Sequence, residues 1–130
     1  RVSIARALVH DPSLLLMDEP FGALDAITRT QIRHDLELLW LNSKKSVLFI
    51  THSIEEAIGL SDKIIVMSDG PGKIIEEINI TIPRPRPAHL GDYPEFAEFS
   101  RRIYSIFEEM GIYKFKDQIK PAKPISTNDR

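Results

Sequence analysis

Apolar residues fall into two kinds of short run along this chain. Leu14-Leu15-Leu16-Met17 and Val47-Leu48-Phe49-Ile50 are unbroken, whereas Ile78, Ile80 and Ile82 alternate with Asn79 and Thr81. An unbroken run this short predicts a strand covered on both faces, as at the centre of a parallel sheet; strict alternation predicts a sheet edge with one face to water. Strands are therefore predicted over 14–17, 46–51, 63–67 and 73–82. Helical spacing fills the intervals: Ile32, Leu36, Leu39 and Trp40 form an inward stripe on a helix over 26–42, and a shorter helix runs to Leu60. Phe96, Phe99, Ile103, Ile106, Phe107 and Met110 predict an amphipathic helix over 93–110. Val2, Ala5, Leu8 and Val9 predict a helix over 1–10, so the chain opens inside an element, as a fragment would.

The breaks between these runs carry their own signals. Asp11-Pro12 ends the first helix, because proline cannot continue it. Asp25 is placed to cap the helix from Ala26, and Ser53 to cap the next, with Glu56 three positions on to complete a capping box. Ser68-Asp69-Gly70-Pro71-Gly72 is a tight turn. Strand, helix, strand, helix, strand, then a hairpin, is the order of an α/β domain: a parallel sheet with flanking helices, an antiparallel edge hairpin and a C-terminal amphipathic helix. Four units result: 1–82 as the α/β part, 83–92 as a proline-rich linker with Pro83, Pro85 and Pro87, 93–111 as the helix, and 112–130 as a flexible tail rich in lysine and proline.

The run 14–17 ends abruptly in Asp18-Glu19-Pro20. Burying an ionised acid is costly unless a cation or hydrogen bonds compensate it, so two carboxylates at the mouth of a buried strand imply a metal and a reactive water. Ligands of parallel sheets sit beyond the carboxyl ends of the strands. His52 follows the second run, so it shares a crevice with Asp18 and Glu19 despite more than thirty intervening residues. Taken singly, Asp18 and Glu19 could be turn formers, His52 a structural histidine and Asp25 only a helix cap. Arg6 and Arg29 are read as ordinary surface arginines.

Composition narrows the chemistry. A net charge of −2 and a pI near 6.1 supply no basic field for a nucleic acid. The absence of cysteine excludes disulfides, thiolate zinc sites and cysteine nucleophiles. No apolar run is long enough to span a bilayer.

Together, Ser3 to Leu8, Leu14 to Pro20, Gly22-Ala23-Leu24-Asp25 and Thr51-His52-Ser53 resemble the carboxyl-terminal half of an ATP-binding-cassette (ABC) transporter ATPase, closely over residues 1–82. The resemblance implies the C-terminal part of a P-loop NTPase-like fold, with ATP and Mg²⁺ as cofactors. It makes Asp18 the end of Walker B, reaching Mg²⁺ through a water, and Glu19 the base that activates the attacking water. His52 becomes the switch histidine at the γ-phosphate, and Asp25 the D-loop residue coupling two nucleotide sites across a dimer. No G-x-x-x-x-G-K-[ST] phosphate loop occurs in these residues, and the signature loop is also missing. The implied partners are a transmembrane permease, a second ATPase subunit and, indirectly, a solute-binding protein. The implied location is peripheral, at the cytoplasmic face of the plasma (inner) membrane.

The turn Gly70-Pro71-Gly72-Lys73-Ile74 and the exit Pro83-Arg84-Pro85-Arg86 are similar to the nitrate, sulfonate and taurine importer branch. Two alternatives stay open: a soluble ABC ATPase without a transport role, and a truncated, catalytically inactive module.

Overall fold

The computed structural model describes residues 11–87 and 89–112. The predicted helix over 1–10, with Arg6, and nearly all of the predicted tail lie outside the described residues. The order is β1 (Leu14–Asp18), α1 (Ala26–Ser43), β2 (Ser46–Ile50), α2 (Ile54–Leu60), β3 (Lys63–Met67), β4 (Ile74–Asn79), a 3-10 turn (Leu90–Asp92) and α3 (Pro94–Glu109). Strand β4 is shorter than its alternating pattern. Beyond Asn79 one more bond continues the register, the Ile80 N–H donating to the Asp62 carbonyl at 2.8 Å, and Ile80 and Ile82 still bury their side chains.

Strands β1 and β2 are parallel, from Leu14 opposite Ser46 to Asp18 opposite Ile50. Strands β3 and β4 form a separate antiparallel pair. The single parallel sheet expected through the first three predicted strands is thus two pairs among the described residues. An open cavity of about 1100 Å³ is lined by both β2 and β3, with Phe49, Ile50, Ile64 and Met67 among its walls. The expectation that β1 and β2 are covered on both faces is corrected as well. Leu15 is buried, but Leu14, Leu16, Leu48 and Ile50, on the other face, are all more than half exposed. Burial needs a second layer, and the described residues place none there.

The core lies instead among α2, the β3–β4 pair and α3, where Ile58, Ile64, Val66, Ile78, Ile80, Ile82, Ile103 and Ile106 form one cluster. Each fully buried isoleucine contributes about 1.5–3 kcal/mol relative to exposure. The predicted stripe of α1 is only partly inward. Ile32 is buried, but Leu39 is 41% exposed, and the other buried side chains of that helix are Arg33 and Glu37.

Those two are buried because each has an opposite charge from a distant segment. Arg33 pairs with Glu55 at 3.0 Å, and Glu37 with Arg84 at 3.1 Å. Segment 83–92 is fastened by its arginines. Arg84 also donates to the Leu60 carbonyl, pairs with Asp62 and stacks its guanidinium on Trp40, 4.4 Å from the ring centroid. Arg86 is buried; it donates through Nε to Ile82 O at 3.0 Å and through Nη1 to Ile58 O at 2.9 Å and Ser61 O at 2.6 Å. Ile58, Leu60 and Ser61 carry carbonyls at the C-terminal end of α2 that have no partner within that helix. The two arginines therefore cap it.

Candidate active site

The parallel register of β1 and β2 brings Asp18 level with Ile50, so the residues following both strands emerge at one end. There Glu19 takes a left-handed backbone conformation, φ 47°, and its N–H donates to Ile50 O at 2.8 Å. A non-glycine residue held at positive φ costs on the order of 1–2 kcal/mol and is characteristic of sites where surroundings impose the shape. This turn releases Glu19 from the strand's alternation and aims its carboxylate at the neighbouring strand end. Glu19 Oε1 lies 2.9 Å from His52 Nε2. The base and the imidazole inferred from sequence are therefore in direct contact.

Asp18 closes β1 with an exposed side chain at the same strand end. Among the described residues no group of three or more His, Asp or Glu side chains is arranged to hold a metal. A single free carboxylate nevertheless fits Mg²⁺, which is ordinarily bound by one or two carboxylates, with phosphate oxygens and waters completing its shell.

Asp25 caps α1 as predicted, accepting from the Thr28 N–H at 2.9 Å and the Thr28 hydroxyl at 2.7 Å. The Thr28 backbone N–H, and then its hydroxyl, hold the exposed Asp25 carboxyl below its ordinary pKa. Phe21, just after the Asp18-Glu19-Pro20 corner, is almost wholly buried and anchors the intervening turn.

The capping box expected at Ser53 is half formed. Ser53 Oγ accepts from the Glu56 N–H at 3.3 Å, but the Glu56 carboxylate does not return to the Ser53 N–H. Thr51 stands between them. Its hydroxyl accepts from the Ser53 N–H at 3.0 Å and donates to Glu56 Oε2 at 2.7 Å. Glu56 is buried, and its other oxygen lies 3.6 Å from Arg29 Nε. Arg29, read from sequence as an ordinary surface arginine, reaches this buried carboxylate and donates through Nη2 to Leu24 O at 3.0 Å. Sequence reasoning missed Glu56 and Arg29 as neighbours of the site, and the part Thr51 plays in joining them to it. The available signal was a glutamate in a short helix directly after the histidine.

An acid at one strand end in contact with an imidazole from the next defines a site able to orient and deprotonate a water beside an anionic substrate. Over the residues it contains, the chain belongs to the ABC transporter ATP-binding proteins. It is 45% identical over 112 residues to the aliphatic sulfonates import ATP-binding protein SsuB of Bacillus cereus, covering 86% of this chain and 43% of that one. It is 46% identical over 112 residues to the taurine import ATP-binding protein TauB of Rhizobium johnstonii, covering 82% and 42%. An uncharacterized ABC transporter ATP-binding protein of Methanocaldococcus jannaschii is 44% identical over 109 residues, covering 84% and 40%. The chain thus spans about two-fifths of the length of the curated relatives it matches. No family model matches it. Among the described residues no helix is long and apolar enough to cross a membrane.

Proposed function

We propose that these residues form the carboxyl-terminal part of the ATP-hydrolysing subunit of an ABC importer. The subunit couples ATP binding and hydrolysis to uptake of a small anion such as a sulfonate, taurine or nitrate. The observation that carries this reading is the 2.9 Å contact between Glu19 and His52 at the C-terminal ends of two parallel strands. Sheet ligands bind there, and phosphoryl transfer needs little beyond positioned charge and an oriented nucleophile.

Glu19 orients the attacking water and takes its proton as the oxygen bonds to the γ-phosphorus. The bond from γ-phosphorus to the bridging oxygen breaks, and ADP leaves with that oxygen. His52 holds Glu19 in place before substrate arrives, and its Nε2–H then serves the γ-phosphate oxygens. Asp18 holds Mg²⁺, which when bound neutralises charge on the triphosphate. Asp25 faces a second subunit and couples its site to this one.

The phosphate loop must come from residues other than these. Among the described residues β2 and β3 each have an unpaired edge, and the cavity they share accommodates further strands. The exposed Leu14, Leu16, Leu48 and Ile50 offer the apolar surface such a layer covers. The subunit docks on a transmembrane permease at the cytoplasmic face of the membrane and pairs with a second ATPase subunit; a solute-binding protein delivers the solute. Turnover by the complete subunit with Glu19→Gln tests the chemistry: nucleotide binding is retained, and hydrolysis falls by at least two orders of magnitude. Undiminished turnover removes Glu19 from the role of base.

A further inference from the structure

Beyond the pair itself, three side chains, Thr51, Glu56 and Arg29, link the loop that carries His52 to the loop that carries Asp25. Thr51 Oγ1 accepts from the Ser53 N–H at 3.0 Å, so the hydroxyl is fixed across the histidine it precedes. The same hydroxyl donates to Glu56 Oε2 at 2.7 Å. Glu56 Oε1 faces Arg29 Nε at 3.6 Å, a distance for ion pairing but beyond a hydrogen bond. Arg29 Nη2 reaches Leu24 O, the carbonyl next to Asp25, at 3.0 Å.

Two features separate this chain from an ordinary surface ion pair. The Glu56 carboxylate is only 6% exposed, so its partners are needed and not optional. Arg29 Nε is buried and has no hydrogen-bond partner, leaving a single loose link in the series. Tightening by a few tenths of an ångström closes it. Both ends of the series touch backbone, at Ser53 N and Leu24 O, so displacing either loop strains the other.

We propose that Glu56, with Thr51 and Arg29, is a positioning relay that makes the His52 loop and the Leu24-Asp25 loop shift together. The relay rests on the ATPase reading above for its purpose, but its mechanical claim concerns only these two loops. Glu56 and Arg29 touch no substrate in this scheme. They set where His52 and Asp25 stand.

The test has two arms. In the first, amide signals of this chain are followed by NMR. Thr51→Val, which keeps shape and removes the hydroxyl, is expected to shift the Leu24, Asp25 and Thr28 amides, and Arg29→Lys to shift the Thr51, His52 and Ser53 amides. Shifts confined to each variant's own loop overturn the relay.

In the second arm, ATP turnover is measured in the complete subunit. Each single substitution is expected to lower kcat on the order of 10-fold, with KM for ATP nearly unchanged, as misplacement of a reacting group does. The double variant is expected to be no slower than the slower single, because both cut one series; multiplied defects overturn the relay. If Glu19→Gln leaves turnover intact, the ATPase reading fails while the first arm still decides the relay. If Glu19→Gln abolishes turnover and both loops stay independent, the relay alone fails.

Discussion

Arg86→Met removes a buried guanidinium and leaves a side chain of similar length. Arg86 is 3% exposed and donates to three carbonyls, Ile82 O, Ile58 O and Ser61 O. Burial, and next the neighbouring Arg84 charge, lower its pKa, while Glu37 and Asp62 act in the opposite sense. The charged form is thus partly disfavoured here, and methionine relieves that penalty. Against the relief stand three acceptors left without a donor. Net of desolvation, a hydrogen bond from a charged group is worth about 1.5–3 kcal/mol. The three share one guanidinium and do not add, so a loss of about 3 kcal/mol is expected. In a chain of this size that lowers Tm on the order of 10 °C.

Urea unfolding followed by fluorescence suits the measurement, since Trp40 is the single tryptophan and lies beneath Arg84. The midpoint should fall with an unchanged slope. Arg86→Lys should recover little, because one ammonium cannot reach three carbonyls. A loss below about 0.5 kcal/mol for the methionine variant, the level of an ordinary surface substitution, refutes the capping argument. Full recovery by lysine refutes the geometric part, leaving charge alone as the cause.

Other expectations follow from single positions. Ile58→Ala, at a fully buried core site, should cost about 2–5 kcal/mol in the same unfolding assay. Asp25 has a lowered folded pKa, so its stabilisation of α1 is present above the unfolded value and is lost as pH falls through the folded one. Asp25→Asn should therefore differ from wild type at neutral pH and converge with it below about pH 4, by thermal melts across that range. The chain alone, whose residues contain no phosphate loop, should show no ATP binding by calorimetry at millimolar nucleotide. Tight binding would assign the triphosphate to residues not identified above.

What the sequence disclosed was whatever depends on neighbours in the chain. Unbroken runs, turn residues and caps placed the described strands and helices to within a few residues, and Asp25 and Ser53 cap as their types predict. The carboxylate pair and the histidine were legible because each ends a strand, and parallel pairing then aligns those ends. Long-range polar partners were not legible. Nothing near Glu37 in sequence announces that it is buried, because Arg84 and the Arg86 N–H lie 47 and 49 residues further on. Segment 83–92 looks like a spacer for the same reason: proline dominates its pattern, while its function in the fold comes from two arginines whose acceptors are elsewhere. The exposed face of β1 and β2 has a different cause. An unbroken apolar run states that a strand is to be covered, but it does not state by which polypeptide.

These long-range contacts bear directly on His52. Its side chain is 92% exposed, so packing does not hold it. It sits instead at the N-terminal end of α2, a helix of seven residues, shorter than an isolated helix can sustain. Such a helix keeps its place only if both ends are fastened. At the first end Thr51, Ser53 and Glu56 satisfy one another; at the last, Arg84 and Arg86 take the free carbonyls. Ile58, wholly buried between them, secures the middle. An exposed imidazole can then meet Glu19 at a fixed distance and remain accessible to a substrate, which a buried histidine could not do. The arginines more than thirty residues downstream thus act on the site through the rigidity of one short helix.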